Sequence, residues 1–280
     1  MATMTIAPKN GYALVLGVSS GFGGATAIEL AKAGFNIFGV HLDRAATMPI
    51  ANQTKADIEA TGAKAIFFNV NAADEGKRKE VIDGIKQEFA SVQGEKPGIY
   101  VLMHSLAFGS LKELVAENPA DALTQKQIEM TLDVMAHSLI YWSQDVTAAR
   151  LWGKYGRIYA MTSGGGSRVL PMYGAVSAAK AALESYIRQL ALEMAPFNVT
   201  ANSILAGVTD TAALRKIPGN DVLMGNAKMR NPSHRLTTPD DVAKVITLLT
   251  HENAQWINGD IIRSDGGENS VDVTWWNENA

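Results

Sequence analysis

The sequence predicts an α/β chain built on one doubly wound parallel sheet, and three observations predict it. Short apolar runs alternate with helical patterns from end to end. The first run leads straight into a glycine-rich turn and then a helix. No repeat, low-complexity tract or Pro/Ser-rich linker interrupts the series. The 280 residues, 47% hydrophobic and 19% charged, suit one large domain with a sizeable buried core.

The elements follow in order. Residues 12–17 (YALVLG) form an apolar strand that runs into glycines, and a helical pattern occupies 25–33. Residues 36–40 (NIFGV) and 65–70 (AIFFNV), rich in β-branched and aromatic side chains, are strands on either side of a helix at 53–61. A helix at 77–89 leads to a strand at 99–104, a long helix at 126–150 to a strand at 157–162, and a second long helix covers 175–194. Strands at 198–204 and 259–263 flank a helix at 239–250, whose Thr-Pro-Asp entry is an N-terminal signal. Residues 208–235, rich in Gly, Asn, Pro and Met and weak in periodicity, read as a mobile loop near the site, with an irregular surface segment as the alternative.

Composition excludes several classes of function. With 25 basic and 28 acidic residues the net charge is -3, so nothing marks a surface for nucleic acid or an anionic membrane. Cysteine is absent, which removes disulfides, thiolate metal sites and thiol nucleophiles. The five histidines form no i, i+4 pair, so no metal site is expected. The start, MATMTIAPKN, lacks the apolar core of a signal peptide, and no apolar run approaches the ~18 residues of a membrane span, so the chain reads as cytoplasmic. The tail VDVTWWNENA carries two adjacent tryptophans, read as packing on the domain or a neighbouring subunit, with a substrate-covering flap as the alternative.

The chemistry concentrates at two places. Gly17, Gly21 and Gly23 of GVSSGFG lie between the first strand and first helix, where backbone amides and a helix N-terminus can approach a pyrophosphate. An acid at the end of the second strand would bond an adenosine ribose hydroxyl, whereas a base there accepts a 2'-phosphate. His41 takes that place and Arg44 is within reach, which favours NADPH; Asp43 keeps NADH open. Hydride transfer needs a proton donor beside a cation that lowers its pKa. No tyrosine has a lysine four residues on, and only Tyr173 has one seven residues on, Lys180; the two share a face if the helix extends to Tyr173, but Pro171 and Gly174 place Tyr173 just before it.

Gly17-x3-Gly21-x-Gly23, Ser163, the Tyr173/Lys180 pair and the run INGDIIRSDGG at 257–267 together resemble the short-chain dehydrogenase/reductase superfamily, whose domain is of the Rossmann type. The seven-residue Tyr/Lys spacing, with Val176 where most of that family has tyrosine, and the strand end His104-Ser105-Leu106-Ala107-Phe108 are similar to bacterial enoyl-[acyl-carrier-protein] reductases. Thr162-Ser163-Gly164 is closer to their divergent NADPH-preferring type. Two positions depart from the superfamily pattern: Ala206-Gly207 replaces Pro-Gly, and Asp133 stands at the helix asparagine, which puts an asparagine-dependent proton relay in doubt.

The resemblance implies Tyr173, Lys180 and Ser163 as catalytic residues acting on a trans-2-enoyl thioester, with carbonyl or imine reduction and a non-catalytic nucleotide sensor as alternatives. It implies a cofactor held by Gly17, Ser19, Ser20, Gly21, Phe22 and Gly23, by His41, Arg44, Asn69 and Val70 around the adenosine, by Ser105 and Leu106 along the groove, by Lys180 on the ribose, and by Gly207, Thr209 and Thr211 on the carboxamide or diphosphate. It also implies a homotetramer assembled through helices such as 175–194. Met161, Met172, Met224 and Met229 are candidates for an adaptable acyl channel.

Overall fold

The computed structural model describes residues 7–271. The tryptophan pair of the tail lies outside them. The strands are β1 (Gly11–Leu16), β2 (Asn36–His41), β3 (Ala65–Asn69), β4 (Gly98–His104), β5 (Trp152–Thr162), β6 (Val199–Ala206) and β7 (Ile261–Ser264). They form one sheet in the order β3-β2-β1-β4-β5-β6-β7, and every pairing is parallel. The direction of crossing reverses between β3 and β4. A crevice therefore opens beyond the C-terminal ends of β1 and β4, where Leu16 pairs with His104.

Connections are helical: α1 (Gly21–Lys32), α2 (Met48–Glu59), α3 (Glu75–Ser91), α4 (Gln125–Leu132), α5 (Ser138–Ala148), α6 (Gly174–Glu193), α7 (Asn220–Arg230) and α8 (Pro239–Leu249). They cover both faces of the sheet, so β1 is buried along its whole length, as parallel strands require. Alternate residues feed two cores. Tyr12, Leu14 and Leu16 pack with Trp142, Ile158 and Leu183 on one face. Ala13 and Val15 pack with Leu30, Val242 and Ile246 on the other.

On α6 the buried stripe is Ala175, Val176, Ala179, Lys180, Leu183, Ile187 and Leu190, the i, i+3, i+4 spacing of an amphipathic helix. Lys180 is its one charged member. Burying an ammonium inside an apolar stripe is costly, and such a residue marks a site more often than a scaffold.

Four expectations are corrected. The pattern at 126–150 is two helices separated by a π-helical turn, Asp133–His137, and the Asp133 carboxylate accepts from the Tyr141 hydroxyl at 2.9 Å. The segment 208–235 contains α7, whose sole buried residue is Ala227, so it carries no apolar stripe for a periodicity reading to find. β7 begins at Ile261 because Gly259 sits in a left-handed turn, φ +83°. α2 begins five residues early, with a proline in its first turn.

Candidate active site

At the cofactor end the backbone leaves no room for side chains. Gly17 has φ +86°, and a Cβ on it would strike the Ser105 carbonyl; a Cβ on Gly23 would strike the Gly17 carbonyl. The Gly17 and Val18 amides bond to the Val40 carbonyl at 2.8 and 3.2 Å, which ties the turn to β2. Ser20 enters α1 with no side-chain cap, and the first turn holds no acid, so the amides that begin the helix face outward with their dipole uncompensated. Ser19 is fixed by the Thr54 hydroxyl, which donates to its carbonyl at 2.9 Å. Leu106 and Ser105 close one side of the turn and Thr211 another, its Cγ2 being 3.8 Å from where a Gly21 Cβ would stand. Phe22 reaches the main cleft. A cradle that a single methyl would fill, at an open helix N-terminus, fits a dinucleotide's phosphates.

The end of β2 differs from expectation. His41 is buried, packs on Phe67 with ring centroids 5.7 Å apart, and pairs its Nδ1 with Asp43 Oδ2 at 2.9 Å. It supports the acid from beneath and presents no face to an adenosine phosphate. Burial pushes the Asp43 carboxyl up, but hydrogen bonds from Thr47, Ser19 and His41 outweigh it and hold the group below its usual range. Asn69 is likewise engaged: its Oδ1 accepts from the Asp43 amide and its Nδ2 donates to the Asp43 carbonyl, both at 2.9 Å. It clamps the loop instead of offering its amide to adenine. The Val70 amide bonds to the His41 carbonyl at 2.8 Å, leaving its half-buried side chain beside that loop. Arg44 is exposed, and among the described residues its side chain has no ion-pair or hydrogen-bond partner.

The catalytic end lies across the crevice. Tyr173 is the N-cap of α6, outside the helix proper, following Met172 at φ +58°. Burial pushes its hydroxyl pKa up, and Ser163 pulls it partly back. Ser163 Oγ is itself buried and meets no protein partner in full hydrogen-bond geometry among the described residues. Gly165 lets these two side chains meet, since a Cβ there would stand 2.5 Å from the tyrosine ring and 3.3 Å from Ser163 Oγ.

Lys180 donates from Nζ to the Met161 carbonyl at 2.7 Å, two residues before Ser163. Burial lowers its pKa to about 8 against the opposing pull of Glu184, whose Oε1 accepts from Thr162 at 2.5 Å. Beneath it His104 is fully buried and pairs Nε2 with Ser138 Oγ at 2.8 Å. Ser138 spends its own proton on the Val134 carbonyl, so Nε2 must be the donor and the unpartnered Nδ1 carries a lone pair. Burial, then the Lys180 charge, bring the ring's pKa down to about 3, so it is neutral.

Tyr173 and Ser163 open onto a cleft of about 340 Å³ whose walls include Phe108, Leu111, Leu170, Leu214, Ile217 and Leu223, while Lys180 and His104 lie behind it. Gly207 and Thr209 line it too, with the Thr209 hydroxyl donating to the Gly207 carbonyl at 3.0 Å. The four methionines named as a channel are not in its lining. Met161 is in the sheet core, while Met172 and Met229 are 40% and 56% exposed. The methionine present is Met135. Sequence reading also missed Glu268 and Arg230 in the cleft wall, because no local pattern announces a contact between residues 38 apart.

The family described as enoyl-(acyl carrier protein) reductase matches residues 17–269. Several relatives span nearly the whole chain. 1-Cyclohexenylcarbonyl-CoA reductase of Streptomyces collinus is 25% identical over 264 residues, 93% of this chain and 88% of that protein. Versicolorin reductase 1 of Dothistroma septosporum is 26% identical over 268 residues, 91% of this chain and 94% of that protein. The crystal structure of a short-chain dehydrogenase from Burkholderia cenocepacia in complex with NADP superposes with a TM-score of 0.78 at 28% identity, covering 95% of this chain and 100% of that one. The match runs from the first glycine of the phosphate turn to Asn269 in the cleft wall, and the chain therefore belongs to the enoyl-(acyl carrier protein) reductase family of the short-chain dehydrogenases/reductases, as a nicotinamide-dependent oxidoreductase.

Proposed function

We propose that this enzyme reduces the C2–C3 double bond of a trans-2-enoyl thioester, preferring NADPH. The observation that carries the reading is the place of Tyr173 relative to α6. It caps the helix instead of standing on it, and Val176 fills the position one turn before Lys180, buried and lining the cleft. In ketone reduction the hydride acceptor and the oxygen are adjacent atoms. In conjugate reduction the oxygen lies two carbons beyond the acceptor, so a hydroxyl displaced from the helix suits it.

A nicotinamide held by these residues would supply the hydride for the new C3–H bond. The Tyr173 hydroxyl donates to the thioester oxygen as enolate charge collects there, and the enolate collapses as C2 takes a proton from solvent water. Ser163 donates a second hydrogen bond or orders the first. Lys180 bonds the ribose hydroxyls and holds a positive potential under the tyrosine. Gly17, Ser19, Ser20, Gly21, Phe22 and Gly23 surround the diphosphate, Ser105 and Leu106 flank the groove, and Gly207, Thr209 and Thr211 hold the carboxamide side. Arg44, exposed and without a partner, is placed to take a 2'-phosphate, and the NADP in the Burkholderia relative supports that preference. The apolar cleft wall suits an acyl chain, on a carrier protein or on coenzyme A.

A second reading, carbonyl or imine reduction, is favoured by the relative named for versicolorin instead of an acyl thioester. Cofactor oxidation followed over crotonyl and longer enoyl thioesters and over a ketone panel, with NADPH and NADH in parallel, separates the readings; turnover of ketones without enoyl thioesters overturns the first. The same proposal places the enzyme in the cytoplasm, in fatty acid synthesis, as a homotetramer. Exposed Leu192, Phe197 and Trp256, at 70%, 49% and 98%, are apolar surface for subunits to cover. No helix among the described residues is long and apolar enough to cross a membrane.

A further inference from the structure

Glu268 is 2% exposed, lies in the wall of the catalytic cleft, and has no part in the chemistry proposed above. A carboxylate so buried must be compensated, and its partners show what it holds. Oε2 accepts from the Val208 amide at 2.8 Å, and Oε1 accepts from Arg230 Nη2 at 3.3 Å. Val208 begins the segment that carries Thr209 and Thr211 toward the glycine turn. Arg230 is the last residue of α7.

The turn that presents Glu268 is rigid. Asp265 accepts from the Gly267 amide, the Asn269 amide and Asn269 Nδ2 at 3.0, 3.1 and 2.9 Å. The neighbouring Asn231, 3% exposed, donates to the Asp265 carbonyl at 3.0 Å, so α7 is fastened to this turn twice. Gly207 permits the approach: a Cβ there would stand 2.8 Å from Glu268 Oε2.

We propose that Glu268 is a positioning residue for the cofactor, one buried charge that holds both the Val208 amide and the Arg230 guanidinium and so sets the backbone carrying Thr209 and Thr211. The inference rests on the reading that this backbone meets the nicotinamide carboxamide. The Val208 bond is the direct hold on that backbone, while Arg230 supplies the counter-charge for the carboxylate and seats α7.

The test is titration of full-length protein with NADPH, followed by cofactor fluorescence, which needs no turnover and so stands apart from the identity of the substrate. Glu268→Ala loses the acceptor and is expected to weaken NADPH binding about tenfold or more. Glu268→Asp keeps the charge but falls a methylene short of the amide, and is expected to show the same loss. Glu268→Gln keeps an acceptor oxygen for the Val208 amide and is expected to stay within about threefold of wild type. Thermal unfolding in parallel shows which variants keep the fold; if Glu268→Ala does not, the Asp and Gln pair decides. Unchanged NADPH affinity in a folded Glu268→Ala or Glu268→Asp variant overturns the proposal. So does a tenfold loss in a folded Glu268→Gln variant.

Discussion

Burial brings the Lys180 ammonium to about 8, while it pushes the Tyr173 hydroxyl up. Tyrosine therefore keeps its proton across the working range, and the alkaline limb of activity belongs to the lysine. We expect kcat/KM to be level below pH 8 and to fall about tenfold per pH unit above it, measured with cofactor and thioester both varied. Tyr173→Phe is expected to lower kcat at least 10²-fold with NADPH affinity nearly unchanged, as fits a group that acts on the substrate oxygen. Stability runs the other way. The unfolded chain holds the Lys180 proton up to 10.5 and the folded chain only to about 8, so between those values stability from this group rises with pH, and below about 8 its cost is present in full. Lys180→Met is expected to be inactive yet at least as stable as wild type at pH 7 by urea unfolding. The gain is up to about 3 kcal/mol, less what the freed Met161 carbonyl costs, and it shrinks from pH 8 upward. The Tyr173/Lys180 pair was legible through the family resemblance and not from spacing alone, because Tyr173 caps α6 and does not stand on its repeating face. His41, Asn69 and Glu268 were not, because what each side chain spends its hydrogen bonds on depends on elements distant in sequence.

At the scale of elements, the β1 turn and α1 behave as one unit. Gly23→Ala places a methyl against the Gly17 carbonyl, a backbone atom that cannot move without dragging the Val40 bonds with it. We expect this variant to lose NADPH binding by at least tenfold and to unfold at a lower temperature, whereas Gly62→Ala, in open space but at φ +89°, costs stability through backbone strain and leaves cofactor binding unchanged. The strands were legible because each is short, apolar and bounded by turn residues. Helix ends were less so. The π-helical turn at Asp133–His137 leaves no mark in an apolar pattern, and α7 begins at a left-handed Gly219 and buries only Ala227, so its helicity follows from docking at its C-terminal end.

The whole molecule is a sheet of seven parallel strands, and all its β-to-α turns emerge on one edge. Substrate and cofactor meet there. Trp256, 98% exposed, lies just before β7 at the other end of the strands. If subunits cover it, Trp256→Glu is expected to turn a four-chain particle into smaller ones by light scattering, with the NADPH affinity of the remaining chain preserved. The parallel, doubly wound class followed from the alternation of elements, but the strand order and the assembly did not, since a lone exposed tryptophan looks the same in sequence whether a partner or water covers it. The attachment of residues 208–230 has a wider consequence. The segment leaves the sheet at Val208 and returns at Arg230 and Asn231, and both ends are fastened to one short turn after β7. It is thus a cassette with a common socket. Segments of other lengths and linings, spliced between those two anchor points, would give chimeric enzymes with new acyl preferences on an unaltered nucleotide platform.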